Sequence, residues 1–188
     1  MSKKDTAQFW NTAHRYLNHH LKVIRQVSSH TIDSYRDCLN SFIDYLERVE
    51  SVSRKKISFN NFEKETIKRY QTWMITEQGL APKTCNLRLT AIRAFLEYAA
   101  QEYLWIMPFY TDACTIVGVK TTNHAIEYFE PNEMTALLAS PSGNNKTDRR
   151  NQMMLIFLYD TAARVAEARQ VKVSDLHLDA EVPYVTLL

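Results

Sequence analysis

Between positions 160 and 169 the chain reads DTAARVAEAR, directly after the apolar run MMLIFLY of Met153 to Tyr159. Arg164 carries a planar, permanently charged fork that can hold a phosphate through two parallel N–H donors. Glu167 lies one helical turn further on, the spacing at which an ion pair fixes a guanidinium. Ala162, Ala163 and Ala166 leave room for a bulky phosphodiester. A second constellation stands between 83 and 93. At 100° per residue, Lys83, Asn86, Thr90 and Arg93 share a helix face opposite Cys85, Ile92 and Ala99, with no carboxylate before Glu97. These side chains suit phosphates and the base edges of a DNA major groove. The first turn of that helix also offers unpaired backbone N–H groups to an anion. Arg88 sits at the border of the apolar stripe and reads as a stem lying across the surface. Ser29, His30, Thr31 and Ser34 form a third polar group, suited to phosphate contact or to plain helix capping.

The elements that must position these groups follow from the apolar spacing. Phe9, Ala13, Tyr16 or Leu17, Leu21 and Ile24 recur every three or four residues, as do Ile32, Tyr35, Leu39, Phe42, Leu46 and Val49. A third helix is predicted from near Asn61 through Phe62, Ile67, Tyr70 and Met74 to a stop at Gly79. A fourth starts at Pro82, where proline suits a first turn, and buries Cys85, Leu89, Ile92, Leu96 and Ala99. Four such helices can close into a bundle over residues 1–107. From Pro108 to Glu127 no helical period is evident, and 108–127 reads as a linker. A second unit, 128–188, opens with a helix at Glu130-Pro131, then a polar loop, an apolar helix from Asp148 to Tyr159, and a strand candidate in VPYVTLL. A lone strand is not stable, so either the chain ends inside a domain or the strand pairs with a segment the sequence does not place.

Only 3 of 188 residues are glycine and 5 proline, which favours long helices. No apolar run reaches the roughly 20 residues that span a bilayer, and the N-terminus has no apolar signal core. Three widely spaced cysteines, Cys38, Cys85 and Cys114, fit free thiols in a reducing compartment such as the cytoplasm. No Cys or His pair has zinc spacing, and the adjacent His19 and His20 diverge on a helix. The net charge of +2 is uneven. Residues 1–115 carry 16 Lys and Arg against 12 Asp and Glu, and residues 116–188 carry 7 against 9. The basic excess permits an anionic partner on the N-terminal part.

With these residues in view, TAARVAEARQVKVSDL (Thr161 to Leu176) resembles the Thr-Gly-x-Arg-x-x-Glu-Leu segment of tyrosine recombinases, the phage-integrase family. HTIDSYRDCLNSFIDYL (His30 to Leu46) and GLAPKTCNLRLTAIRAFLEYA (Gly79 to Ala99) are similar to the second and fourth helices of that family's core-binding, SAM-like domain. IEYFEPNEMTALLAS resembles the entry to its catalytic domain. The resemblance implies a mainly α fold, a four-helix SAM-like domain followed by the mostly helical start of a catalytic domain. It implies double-stranded DNA as partner and a tyrosine nucleophile that forms a 3′-phosphotyrosyl link, with no metal or nucleotide cofactor. Carried over by position, Arg164 is the first catalytic arginine and Glu167 its acidic support. Lys83, Thr84, Asn86 and Arg93 are the expected DNA contacts, with Thr31 and Tyr35 beside them. Ala162 stands where the family has glycine, and Ala168 where it has leucine. No His-x-x-Arg follows Arg164, Lys172 precedes the family's lysine hairpin, and Tyr184 comes too early to be the nucleophile. The expectation is a piece of a longer recombinase that binds DNA without cutting it, monomeric alone and tetrameric on synapsed DNA when complete. It would act in the cytoplasm of a bacterium, or be encoded by a phage or mobile element. A non-catalytic DNA-binding regulator with the same helical fold, and a helical protein-interaction module, are the competing readings.

Overall fold

The computed structural model describes residues 3–122, 127–141 and 143–187. Eight α-helices and one two-stranded sheet stand among them. The chain divides into two compact units, Met1–Asn123 and His124–Leu188.

In the first unit, α1 (Lys3–Arg15) runs into a π-helical stretch, Tyr16–Ile24. The periodicity predicts an ordinary helix there. Tyr16 and Leu21 explain the difference: both are buried, and residues five apart diverge by about 140° on an α-helix. Wider turns with i→i+5 bonds bring them to one side. After this, α2 (Ser29–Arg48) begins where the Ser28 hydroxyl accepts from the Thr31 N–H at 3.2 Å, a standard cap. Ile32, Leu39, Phe42 and Leu46 are buried as their spacing predicts, whereas Val49 is exposed because it lies past the last turn.

The third helix starts later than expected. Phe59–Phe62 form a 3₁₀ turn, and α3 covers Lys64–Thr76. Asn61 Oδ1 accepts from the Ser58 N–H at 2.9 Å, a local side-chain bond that competes with helix continuation. The stop is where the sequence puts it: Gly79 has φ +60°, and the Leu80 N–H returns to the Met74 carbonyl at 3.0 Å. The last of the four, α4 (Pro82–Glu102), packs against α2 and α3, and all five of its predicted core residues are buried. Rings of Phe9, Phe59, Phe62 and Phe95 meet at centroid distances of 5.5 to 6.2 Å, edge-on or tilted for the most part. Cys38 and Cys85 are buried free thiols, and Cys114 is exposed and free.

The stretch read as irregular from Pro108 contains a further helix, α5 (Met107–Thr115), packed against α4. Pro108 occupies its first turn, and Ala113 and the following Ile116 are buried. With nine residues it holds too few periods to register as a pattern, and packing on α4 supplies its stability. Residues 117–122 are irregular; 123–126, also within the expected linker, lie outside the described residues.

The second unit contains α6 (Pro131–Ala139), α7 (Lys146–Thr161), α8 (Val165–Ala168), β1 (Leu176–His177) and β2 (Tyr184–Val185). Asn145 Oδ1 caps α7 by accepting from the Asp148 N–H at 2.9 Å. The strand candidate finds its partner within the unit: β2 pairs antiparallel with β1, Leu176 opposite Val185 and His177 opposite Tyr184. The His177 and Tyr184 rings stack with centroids 4.3 Å apart.

Candidate nucleic-acid interface

The interface grows from the way α4 faces α2. Asn86 and Arg93, expected on the solvent face of α4, are turned toward the segment that includes α5. Asn86 Nδ2 donates to the Val119 carbonyl at 2.9 Å, and its Oδ1 accepts from the Val119 N–H at 2.7 Å. Arg93 Nε donates to the Ala113 carbonyl at 3.0 Å, and an Nη2 hydrogen bond reaches the Ile116 carbonyl. Both side chains are thereby engaged in holding the end of α5 and the chain beyond it. A guanidinium there satisfies carbonyls that a helix end leaves without partners. Gly118 fits the same contact, since a Cβ at this position would lie 2.8 Å from Asn86 Oδ1.

The open face of α4 is turned by about 40° from the one the sequence suggests. Lys83, Leu87, Thr90, Ala94, Glu97 and Gln101 form it, spaced alternately four and three apart. All but the half-buried Ala94 are exposed. Opposite them, α2 contributes Thr31 and Tyr35. A cavity of about 290 Å³ lies between His30, Thr31, Ser34 and Tyr35 on one wall and Leu87, Thr90 and Ala91 on the other. A second cavity of about 360 Å³ shares Thr31 and Tyr35 and extends to Tyr16, His20, Arg25, Glu97, Tyr98 and Gln101. From Leu87 to Gln101 this trough follows α4 for about 21 Å at 1.5 Å per residue. Lys83 and Thr84 stand at its head, in the first turn of α4, and Lys83 has no hydrogen bond or ion pair among the described residues. Thr31 and Tyr35 thus line the trough, Lys83 and Thr84 precede Leu87 by about one turn of α4 without lining either cavity, and Asn86 and Arg93 point beside it. Arg25, Leu87 and Gln101 are trough residues that sequence reasoning passed over, and Glu97 entered it only as the carboxylate that ends the α4 face; the 83-87-90-94-97-101 spacing is the signal that could have found Leu87 and Gln101.

The trough's far end is aromatic. The His20 ring lies 4.7 Å from that of Tyr98 and stacks on Tyr16 at 5.8 Å. Burial, and then the charge of Arg25, hold His20 below the usual histidine range. Burial likewise pushes the Tyr16 phenol above its ordinary value, with Tyr35 adding to the shift.

In the second unit, Ala162 adopts φ +51° at the end of α7, a left-handed conformation that glycine takes without steric cost. That turn delivers Arg164 to the start of α8. Glu167 then binds Arg164 twice. Its Oε2 accepts from the Arg164 backbone N–H at 2.7 Å, and its Oε1 meets Arg164 Nη1 at 2.8 Å. The backbone bond first, and the guanidinium second, hold the Glu167 carboxyl below the usual carboxylate range. The Arg164 side chain remains 85% exposed, so part of its fork is open to an anion. Among the described residues no cluster of His, Cys, Asp and Glu could hold a metal ion, and no helix is long and apolar enough to cross a membrane.

Residues 13–103 match the family model of the phage integrase N-terminal SAM-like domain. The match takes in 91 of the 188 residues, and over them the chain is similar to that domain. It is 35% identical to tyrosine recombinase XerD of Halalkalibacterium halodurans, over 85% of this chain and 51% of that protein. It is 30% identical to tyrosine recombinase XerC of Staphylococcus haemolyticus, over 89% of this chain and 52% of that one. The chain spans about half the length of the curated relatives it matches. A crystal structure of XerA recombinase superposes loosely, with a TM-score of 0.32 and 18% identity over 90% of this chain and 52% of that one. Within the matched residues, α2, α4 and the Tyr16–Ile24 stretch with Arg25 and Val27 line the trough.

Proposed function

We propose that the chain is the DNA-binding portion of a site-specific tyrosine recombinase, and that the trough between α2 and α4 receives double-stranded DNA. The observation that carries this reading is the trough itself: it is lined by the hydroxyl-bearing Thr31, Ser34, Tyr35 and Thr90, it has Lys83, unpaired among the described residues, one turn before Leu87 on the same helix, and it is built within the domain shared with the integrases. Lys83 and Thr84 contact phosphates at the head of α4, and Thr31 and Tyr35 meet DNA from α2. Asn86 and Arg93 act by holding α5 against α4, which fixes the trough wall. Arg164 acts in the complete recombinase, where its open fork stabilises charge on the scissile phosphate and Glu167 holds it in position. The complete enzyme works as a tetramer on synapsed DNA, while these 188 residues are monomeric and bind DNA without forming a covalent adduct.

A gel-shift titration against salt tests the reading. Phosphate contacts predict a linear fall of log affinity with log salt concentration, and Lys83→Ala makes that slope shallower by about one. Affinity independent of salt removes DNA as the partner. Arg164→Ala is expected to leave binding within about twofold, since one exposed arginine outside the trough adds little there, and to abolish recombination in the complete enzyme. A covalent protein–DNA adduct on a nicked suicide substrate overturns the binding-only reading of this chain.

A further inference from the structure

The far end of the trough presents a pairing that phosphate binding does not explain. Glu97, on the open face of α4, has no ion pair or hydrogen bond among the described residues. A bare carboxylate repels a DNA backbone. Arg25, on the opposite wall of the same cavity, has an equally unpartnered guanidinium. The two are not joined to each other by any ion pair. Tyr16, only 2% exposed, lines the same cavity. The site thus holds an unspent acceptor and an unspent forked donor, walled by Tyr16, Tyr35 and Tyr98.

An isolated phosphate satisfies only the arginine. The major-groove edge of a C·G pair satisfies both charged groups: cytosine N4–H₂ donates to a carboxylate, and guanine O6 and N7 accept both arms of a guanidinium. We propose that Glu97 and Arg25 together read one C·G base pair in the DNA that the trough receives, so that this end of the trough sets sequence preference while Lys83 and Thr84 at its head set affinity. The inference rests on the DNA-binding reading above. It also accounts for a carboxylate on a DNA-facing surface, because a negative charge that is unsatisfied on other sequences penalises them.

Selection of the 188-residue chain on a library of duplexes randomised over 20 base pairs, followed by sequencing, tests this. The wild type is expected to enrich one C·G position by about tenfold over other pairs, a factor within the range of a single base contact. Glu97→Ala and Arg25→Ala are each expected to flatten that same position. Glu97→Ala also raises affinity for non-enriched duplexes, and Arg25→Ala lowers it. Both side chains are exposed, so the fold tolerates either change; an unaltered melting curve checks this, and Glu97→Gln and Arg25→Lys repeat the comparison with smaller perturbation. Retention of every wild-type preference in Glu97→Ala, flattening of different positions by the two variants, or enrichment of an A·T pair at the shared position overturns the proposal while leaving DNA binding intact. Failure of the wild type to retain any duplex removes the DNA-binding reading as well.

Discussion

The two units spend their apolar residues in opposite ways. The first buries Phe9, Phe42, Phe59, Phe62 and Phe95 in one aromatic core joined by the aliphatic side chains of α2, α3 and α4. In the second, none of the described residues is buried. Met153, Met154, Ile156 and Tyr159 of α7 stay exposed, Met153 to 69%. Hydrophobic burial is the main favourable term in folding, at about 25 cal/mol per Å² removed from water. The first unit therefore carries its own stability. The second is held by caps, each contributing about 1 kcal/mol, by a two-stranded ribbon and by the solvent-exposed Arg164–Glu167 bonds. The lesson is that the trough is a rigid surface, whereas the arginine that suits phosphodiester chemistry sits on a lightly anchored one.

The largest test of that contrast is Phe95→Ala. Phe95 is fully buried against Phe9, Tyr16, Phe59 and Phe62, and truncation is expected to destabilise the first unit by about 3–5 kcal/mol. All three tryptophans, Trp10, Trp73 and Trp105, lie in that unit, so denaturation followed by tryptophan fluorescence reports it alone. Hydrogen exchange in α7 should be unchanged by the same substitution; a matching loss of protection there would show that the units fold as one.

Arg93→Ala comes next. Losing the bonds to the Ala113 and Ile116 carbonyls is expected to cost roughly 1.5–3 kcal/mol and to raise hydrogen exchange in α5. DNA affinity measured by gel shift falls only as far as the trough wall loosens. A loss of DNA binding with α5 still protected would instead make Arg93 a direct contact.

Ala162→Gly should act in the opposite direction. Relief of the left-handed alanine is expected to stabilise the second unit by about 1 kcal/mol, read as slower exchange in α7 with the first unit's denaturation midpoint unchanged. No gain in protection would mean that the turn carries no strain.

The smallest effect concerns acid. The Arg69 guanidinium, and after it the Tyr45 hydroxyl, hold the Glu50 carboxyl below the usual carboxylate range, against the opposing effect of burial. A depressed folded-state pKa gives stability that is present above the unfolded value of about 4.3 and lost as pH falls below it. The first unit's melting temperature should therefore decline slightly more between pH 5 and 3 in the wild type than in Glu50→Gln. Equal slopes would show that this surface-lying pair contributes nothing. At the other extreme, burial first and the Glu50 bond second push the Tyr45 phenol up to about 12, so its contribution persists until strongly alkaline pH.

Helix identity was legible residue by residue. Cys85, Leu89, Ile92, Leu96 and Ala99 marked the buried face of α4 because a 3.6-residue period admits one solution for so many apolar positions. Gly79 marked the end of its predecessor because only a residue free of Cβ adopts φ +60° without cost. The Arg164–Glu167 pair was legible from spacing alone, since one helical turn fixes how near two side chains can come. What spacing could not show is which polar residues remain open. Asn86 and Arg93 differ from Lys83 and Thr90 in no local property; they are engaged because α5, too short to announce itself, returns against α4. The partner of β2 was equally hidden, since two-residue strands carry no alternation. Sequence by itself determined the longer helices, the positive charge near the head of α4 and the Arg164–Glu167 pair, all set largely by contacts within a turn or two of chain. Tertiary structure decided the trough, because a groove belongs to two helices at once and its lining depends on which neighbour claims each polar side chain.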